Sequence, residues 1–148
     1  MIRVKIASPQ NLMDLDYARF REIAQTVLRG EDEDEARITL AFVENSTIRR
    51  LNKQFLDHDE PTDVLSFPMS GPAAKTLEGE LVIGVDVARE QATERGHDVG
   101  AELALYVIHG LLHLCGYDDH DDRDIAKMRE RERYYLSKLG LPDISEKS

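Results

Sequence analysis

The chain ends in three helical segments in succession, Asp86 to Arg95, Val99 to Cys115 and Arg123 to Leu139, punctuated by Gly96, Gly116 and Gly140, residues suited to ending helices. The strand-like patterns precede them. Ile2, Val4 and Ile6 alternate with Arg3 and Lys5, the period of a half-buried strand. Arg37 to Val43, Thr62 to Phe67 and Glu80 to Val85 are further strand candidates, rich in β-branched and aromatic residues. Asp14 to Leu28 is apolar at helical spacing, with acids in the first turn and Gly30 just past the end, and Asn45 or Ser46 is placed to cap a helix burying Ile48, Leu51 and Phe55. The short connection through Ser70 to Glu78, read as a mobile loop, suggests that the third and fourth strands pair antiparallel. This order predicts an α+β fold: a small mixed four-stranded sheet covered by about five helices.

Residues 1–148 are expected to form one domain, since 148 residues with 41% apolar content suit a single core. The lone Cys115 cannot close an intramolecular bridge, the pattern of a reducing compartment. No apolar run approaches the ~18 residues of a membrane span, and the alternating start does not resemble a signal peptide. A cytoplasmic protein without a membrane partner is the expectation. Twenty-nine acidic against nineteen basic side chains give a net charge of -10, the wrong sign for gripping a phosphate backbone by general electrostatics. A local basic groove is still compatible with that sum. The acidic run Glu31 to Glu35 reads as a solvated loop.

His109 and His113 are four residues apart in a helical segment, so both imidazoles leave one face and can meet one metal ion. Gly116 can take a left-handed conformation and turn the chain back, bringing Asp118, Asp119 or His120 to supply a third donor. Three protein ligands plus water is the open arrangement of catalytic zinc. The pattern departs from the HExxH metallopeptidase signature at Gly110, which stands where the glutamate base would be. Cys115 lies about 200° round the helix from His113 and reads as a packed core thiol. No G-x-S-x-G elbow or Gly-rich phosphate loop is present.

The segment from His109 to Asp118, HGLLHLCGYD, closely resembles the HGxLHLxGYD signature of the YbeY endoribonucleases. Pro61 to Pro68, PTDVLSFP, resembles that family's PT(N/D)VLSFP strand, and Glu78 to Ile83 its LGDIxI strand. The likeness extends over nearly the whole chain. It implies a zinc-dependent, single-strand-selective endoribonuclease serving small-subunit ribosomal RNA maturation and ribosome quality control. The implied partners are single-stranded RNA and the ribosome or its small subunit, with DNA not expected.

Two departures bear on the site. The family signature ends in GYDH, whereas this chain reads Gly116-Tyr117-Asp118-Asp119-His120, so the ungapped counterpart of the third histidine is Asp119. Ahead of PTDVLSFP the family carries an arginine used in RNA cleavage, and this chain has Leu56. Arg49, Arg50, Lys53 and Lys75 are candidates to replace it, although each reads more simply as a solvated surface charge. His58 and His97 read as surface histidines, neither having a ligand-spaced partner. The expectation is one zinc ion on His109, His113 and Asp119, with His120 as the alternative third ligand, at the end of a core helix. Asp118 is the candidate to orient water or a ligand imidazole. A non-catalytic, ribosome-associated zinc-binding module and, less favoured, a divergent metallopeptidase are the alternatives.

Overall fold

A computed structural model describes residues 1–145. Its elements are β1 (Ile2–Ala7), α1 (Tyr17–Gly30), β2 (Ala36–Val43), α2 (Asn45–Leu56), β3 (Val64–Pro68), β4 (Leu77–Gly84), α3 (Val85–Arg95), α4 (Val99–Leu114) and α5 (Asp122–Lys138). The sheet order is β1-β2-β4-β3. β1, β2 and β4 run parallel, and β3 pairs antiparallel to β4 from Val64 opposite Ile83 to Pro68 opposite Gly79. The α+β fold, the mixed sheet and the antiparallel pair are therefore as the order of elements predicts.

Because successive strand residues point to opposite faces, β2 and β4 divide their apolar residues between two layers. Ile38, Leu40, Phe42, Leu81 and Ile83 face the main core, which α1, α3, α4 and α5 help to fill. Ala41, Val43 and Val82 face the other way and pack with Leu65 of β3 and Ile48 of α2. α4 is the hub of the main layer, in contact with β3, β4, α1, α3 and α5. Its residues from Ala101 to Ile108 are all buried, together with Leu111 and Leu112, as expected of a helix that is apolar on nearly every side. Burying each such leucine or isoleucine contributes about 1.5–3 kcal/mol at most.

Two glycines set the course of α4. A Cβ on Gly110 would lie 2.8 Å from the Leu81 side chain and 3.2 Å from that of Val64, so the glycine admits close contact between helix and sheet. Gly116 has φ 104, and the Gly116 and Tyr117 amides donate to the carbonyls of His113 and Leu112, both at 3.0 Å. This is a Schellman-type stop that reverses the chain towards α5.

Several local expectations are corrected. α1 begins at Tyr17 with Asp16 as its cap, so the predicted first-turn acids precede the helix. Gly30 is its last residue, where a Cβ would collide with Tyr135. α2 starts at Asn45 after Glu44, and neither Asn45 nor Ser46 is its N-cap. The Asn45 amide instead donates to Asp86 of α3 at 2.6 Å. β4 begins at Leu77, inside the segment read as a loop, because Leu77 and Glu78 continue the register with Ala36 and Arg37. Glu31 is not a solvated charge. Its side chain is 9% exposed and accepts from Tyr117 at 2.7 Å, Arg131 at 2.5 Å and the Tyr135 hydroxyl.

Candidate metal centre

The last turn of α4 and the loop after Gly116 bring three donor side chains together. His109 Nε2 and His113 Nε2 are 3.1 Å apart. Asp119 Oδ2 lies 3.5 Å from His113 Nε2 and 3.9 Å from His109 Nε2. All three residues offer ligand atoms within 4.8 Å of one another, a grouping that could hold a metal ion. Asp119 keeps 47% of its side chain exposed, so the cluster opens to solvent on that side.

His120 takes a different direction. Its side chain is 80% exposed, and its Nε2 lies 3.6 Å from Asp118 Oδ1. Adjacent residues in an extended stretch point oppositely, which accounts for Asp119 turning inward while His120 faces solvent. Asp118 is not brought to the histidines and lines a separate depression with Glu31, Cys115 and Tyr117. Tyr117 is tied to Glu31, and this fixes the start of the segment that carries Asp118 and Asp119. Burial opposes ionisation of Glu31, but hydrogen bonds from Tyr135, Arg131 and Tyr117 outweigh it and hold the carboxyl below its usual pKa. Cys115 is half-buried and packed against the main core. Burial, with the nearby charges of Glu33 and Glu31, pushes its thiol up to about 12.

Glu132 of α5 completes the support of His109. Its carboxylate is fully buried, lies 2.6 Å from His109 Nδ1 through Oε2, and accepts from Arg129 at 2.7 Å through Oε1. A carboxylate only accepts, so Nδ1 carries the proton, the arrangement that leaves Nε2 as the nitrogen for a metal. The sequence reading missed Glu132. The available signal was its position among Met128, Tyr135 and Leu136 on the buried stripe of α5, where an unpaired carboxylate would be costly.

A groove of about 400 Å³ runs past the cluster, lined by His109, Asp119, Glu132, Asp63, Arg95 and Arg129 among others. The basic residues singled out from the sequence do not line it. Arg49 is exposed and paired with Asp59 at 2.8 Å, Lys53 lies 3.9 Å from the same carboxylate, and Arg50 and Lys75 are exposed. Leu56, 54% exposed at the end of α2, does not line the groove either. His58 is exposed, as expected. His97 is not a surface histidine, because its side chain is 8% exposed and lies 3.0 Å from the buried Glu102.

The family model described as Endoribonuclease YbeY matches residues 5–140. A Carboxydothermus hydrogenoformans protein named Endoribonuclease YbeY is 38% identical, over 93% of this chain and 97% of its own length. A Salinibacter ruber protein of the same name is 40% identical, over 84% of this chain and 83% of its own. A solution structure of a Thermotoga maritima protein superposes with TM-score 0.65 at 28% identity, covering 94% of this chain and 89% of that one. With the family model matching from β1 to the end of α5 and relatives of this likeness covering most of their own length, the chain belongs to the YbeY endoribonuclease family.

Proposed function

We propose that this chain is a zinc-dependent endoribonuclease that cuts single-stranded RNA, acting in small-subunit ribosomal RNA maturation and ribosome quality control. The observation that carries the chemistry is the convergence of His109, His113 and Asp119 on one point. Donor atoms about 2.0–2.2 Å from a tetrahedral zinc ion are about 3.3–3.6 Å apart, and the separations of 3.1, 3.5 and 3.9 Å bracket that range. Two imidazoles and a carboxylate are a competent zinc set, and a buried carboxylate behind one imidazole is the customary outer partner.

When bound, zinc supplies a Lewis acid at the phosphodiester and acidifies water at neutral pH. The protein's own part is to hold the donors, keep His109 in the Nδ1–H tautomer through Glu132, and leave the groove side open to RNA. That opening supports catalysis over a closed structural zinc site. A metallopeptidase is disfavoured by packing as well as by sequence. Gly110 faces Leu81 and Val64, so a glutamate base would not fit there unless these packed side chains shifted.

Zinc content and cleavage of a single-stranded oligoribonucleotide, with and without a chelator, test the reading. His109→Ala, His113→Ala and Asp119→Ala should lose both zinc and cleavage, while His120→Ala keeps both. Full zinc retention in the two histidine variants would overturn the assignment. Loss in His120→Ala with retention in Asp119→Ala would move the third ligand.

A further inference from the structure

Glu102, Tyr106, His109 and His113 follow one another along α4 at spacings of four, three and four residues, which places them in one stripe. The C-terminal half of the stripe is the candidate metal centre. The N-terminal half is a charge cluster that the chemistry above does not use. Glu102 is fully buried. Its Oε1 lies 3.3 Å from Arg95 Nη1 and 3.0 Å from His97 Nε2, while Oε2 is buried with no partner among the described residues. A carboxylate kept so far from water and only partly satisfied is costly, and its steric place could be filled by an apolar residue. The arrangement does, however, fix the position of a guanidinium. Arg95 ends α3, Gly96 with φ 70 reverses the chain, and Asp98 caps α4, so Arg95 is held beside Glu102 with 21% of its side chain exposed on the groove wall.

We propose that Arg95, anchored by Glu102, is a docking site for a backbone phosphate of the RNA strand, in the same groove as the phosphodiester that reacts. The proposal rests on the reading that the metal centre cuts RNA, and it adds a subsite to that centre. Seven residues separate Glu102 from His109, about 10 Å along the helix at 1.5 Å per residue, and Arg95 lines the same groove as His109 and Asp119, so a phosphate on Arg95 would lie within about one or two nucleotides of the reacting one. A guanidinium anchored through one nitrogen retains further donors in a planar fork that suits phosphate oxygens. Tyr106, midway along the stripe, also lines the groove. Burial above all, then the charges of Glu102 and Asp63, pushes its pKa up, so its hydroxyl stays protonated as a neutral neighbour. Leu56 does not line this groove, and Arg95 supplies a cation there.

The test uses zinc-loaded full-length protein, a single-stranded oligoribonucleotide substrate and its 2′-O-methyl analogue as the binding probe. Arg95→Gln leaves Glu102 buried without its arginine, so the double variant Arg95→Gln/Glu102→Gln guards against unfolding. Loss of one charge-assisted contact should weaken probe binding about tenfold. It should also lower the slope of log K against log salt by about 0.7, the value for one phosphate on a single strand. KM should rise with kcat little changed, because the contact is made equally in ground and transition states. Zinc content should not move, and Arg95→Lys should restore the slope. A folded variant with parent affinity and parent slope would reduce Arg95 to a brace between α3 and α4. If His109→Ala abolishes cleavage while the Arg95 variants keep the parent slope, the docking proposal alone fails; if His109→Ala cleaves normally, both readings fail.

Discussion

Glu132→Gln isolates what the buried carboxylate does for the metal centre, because it preserves volume while removing the charge and exchanging one acceptor for an NH2 donor. Oε2 accepts from His109 Nδ1–H at 2.6 Å and Oε1 accepts from Arg129 at 2.7 Å. A glutamine has one acceptor for two donors. If its carbonyl faces His109, its NH2 meets Arg129; if it faces Arg129, its NH2 meets Nδ1 and drives His109 to the tautomer whose Nε2 carries the proton and cannot bind metal. The first orientation leaves a buried donor–donor conflict with Arg129, and the second avoids one only by giving up the metal-binding tautomer of His109, with no water to relieve either because Glu132 is fully buried. Loss of such an outer partner typically costs 10–100-fold in metal affinity, or about 1.4–2.7 kcal/mol. Competition with a chromophoric zinc chelator at neutral pH measures the affinity, and long-range 15N–1H correlation reads the His109 tautomer. A folded variant with zinc affinity within about twofold of the parent would refute the argument that Glu132 orients His109.

Glu31→Gln should lower the melting temperature at neutral pH, by roughly 2–4 °C for each kcal/mol lost, since its carboxylate accepts from Tyr117, Arg131 and Tyr135. The folded-state pKa is depressed, so this stabilisation is present above the ordinary carboxylate range and disappears as pH falls through the folded value; melting curves of parent and variant should converge in acid. Gly110→Ala, normally favourable in a helix by about 1 kcal/mol, should instead destabilise the protein, because its Cβ meets Leu81 at 2.8 Å; an unchanged or higher melting temperature would contradict the packing argument. With its thiol pKa raised to about 12, Cys115 should react with an aromatic disulfide reagent far more slowly in the native protein than after denaturation, as followed by absorbance. Equal rates would show that the thiol is neither buried nor raised.

The parts legible in the sequence are those written in local periodicity. Alternation in β1, the apolar continuity of α4 and the i, i+4 spacing of His109 and His113 each follow from one element's geometry, and Gly116 marks the reversal by its own conformational freedom. What stayed hidden depends on which elements meet. Glu132 looks like one charge in the run Arg129 to Arg133 until α5 is laid on α4. Glu102 and His97 look solvated until α3 and α4 are packed, when Glu102 becomes fully buried. Glu31 reads as part of an acidic loop until Tyr117, Arg131 and Tyr135 arrive from distant segments. The cap of α2 was missed for the same reason, its partner Asp86 lying 41 residues away. The basic residues singled out near Pro61 share this limitation: closeness in sequence to a family motif did not place Arg49, Arg50 or Lys53 on the groove, whereas Arg95 and Arg129 reach it from α3 and α5.

Charge in the groove links the acidic composition to RNA handling. Among its described lining residues, Asp63, Asp119 and Glu132 carry three negative charges and Arg95 and Arg129 two positive ones, leaving it slightly repulsive towards a phosphodiester. A divalent ion on His109, His113 and Asp119 reverses that sign, so the proposed metal serves binding as well as chemistry. A third histidine in place of Asp119 would leave the groove one charge more positive. On the proposed reading, the aspartate would therefore make RNA capture depend more steeply on metal occupancy, and the remaining cations would count for more. An overall charge of -10 opposes the approach of nucleic acid as a whole, and its effect at distance is screened within about 8–10 Å at ordinary ionic strength. On the proposed reading, attraction would be confined to the short range over which Arg95 and a loaded centre act together, which would favour a single flexible strand able to enter the groove over a rigid duplex held at the rim.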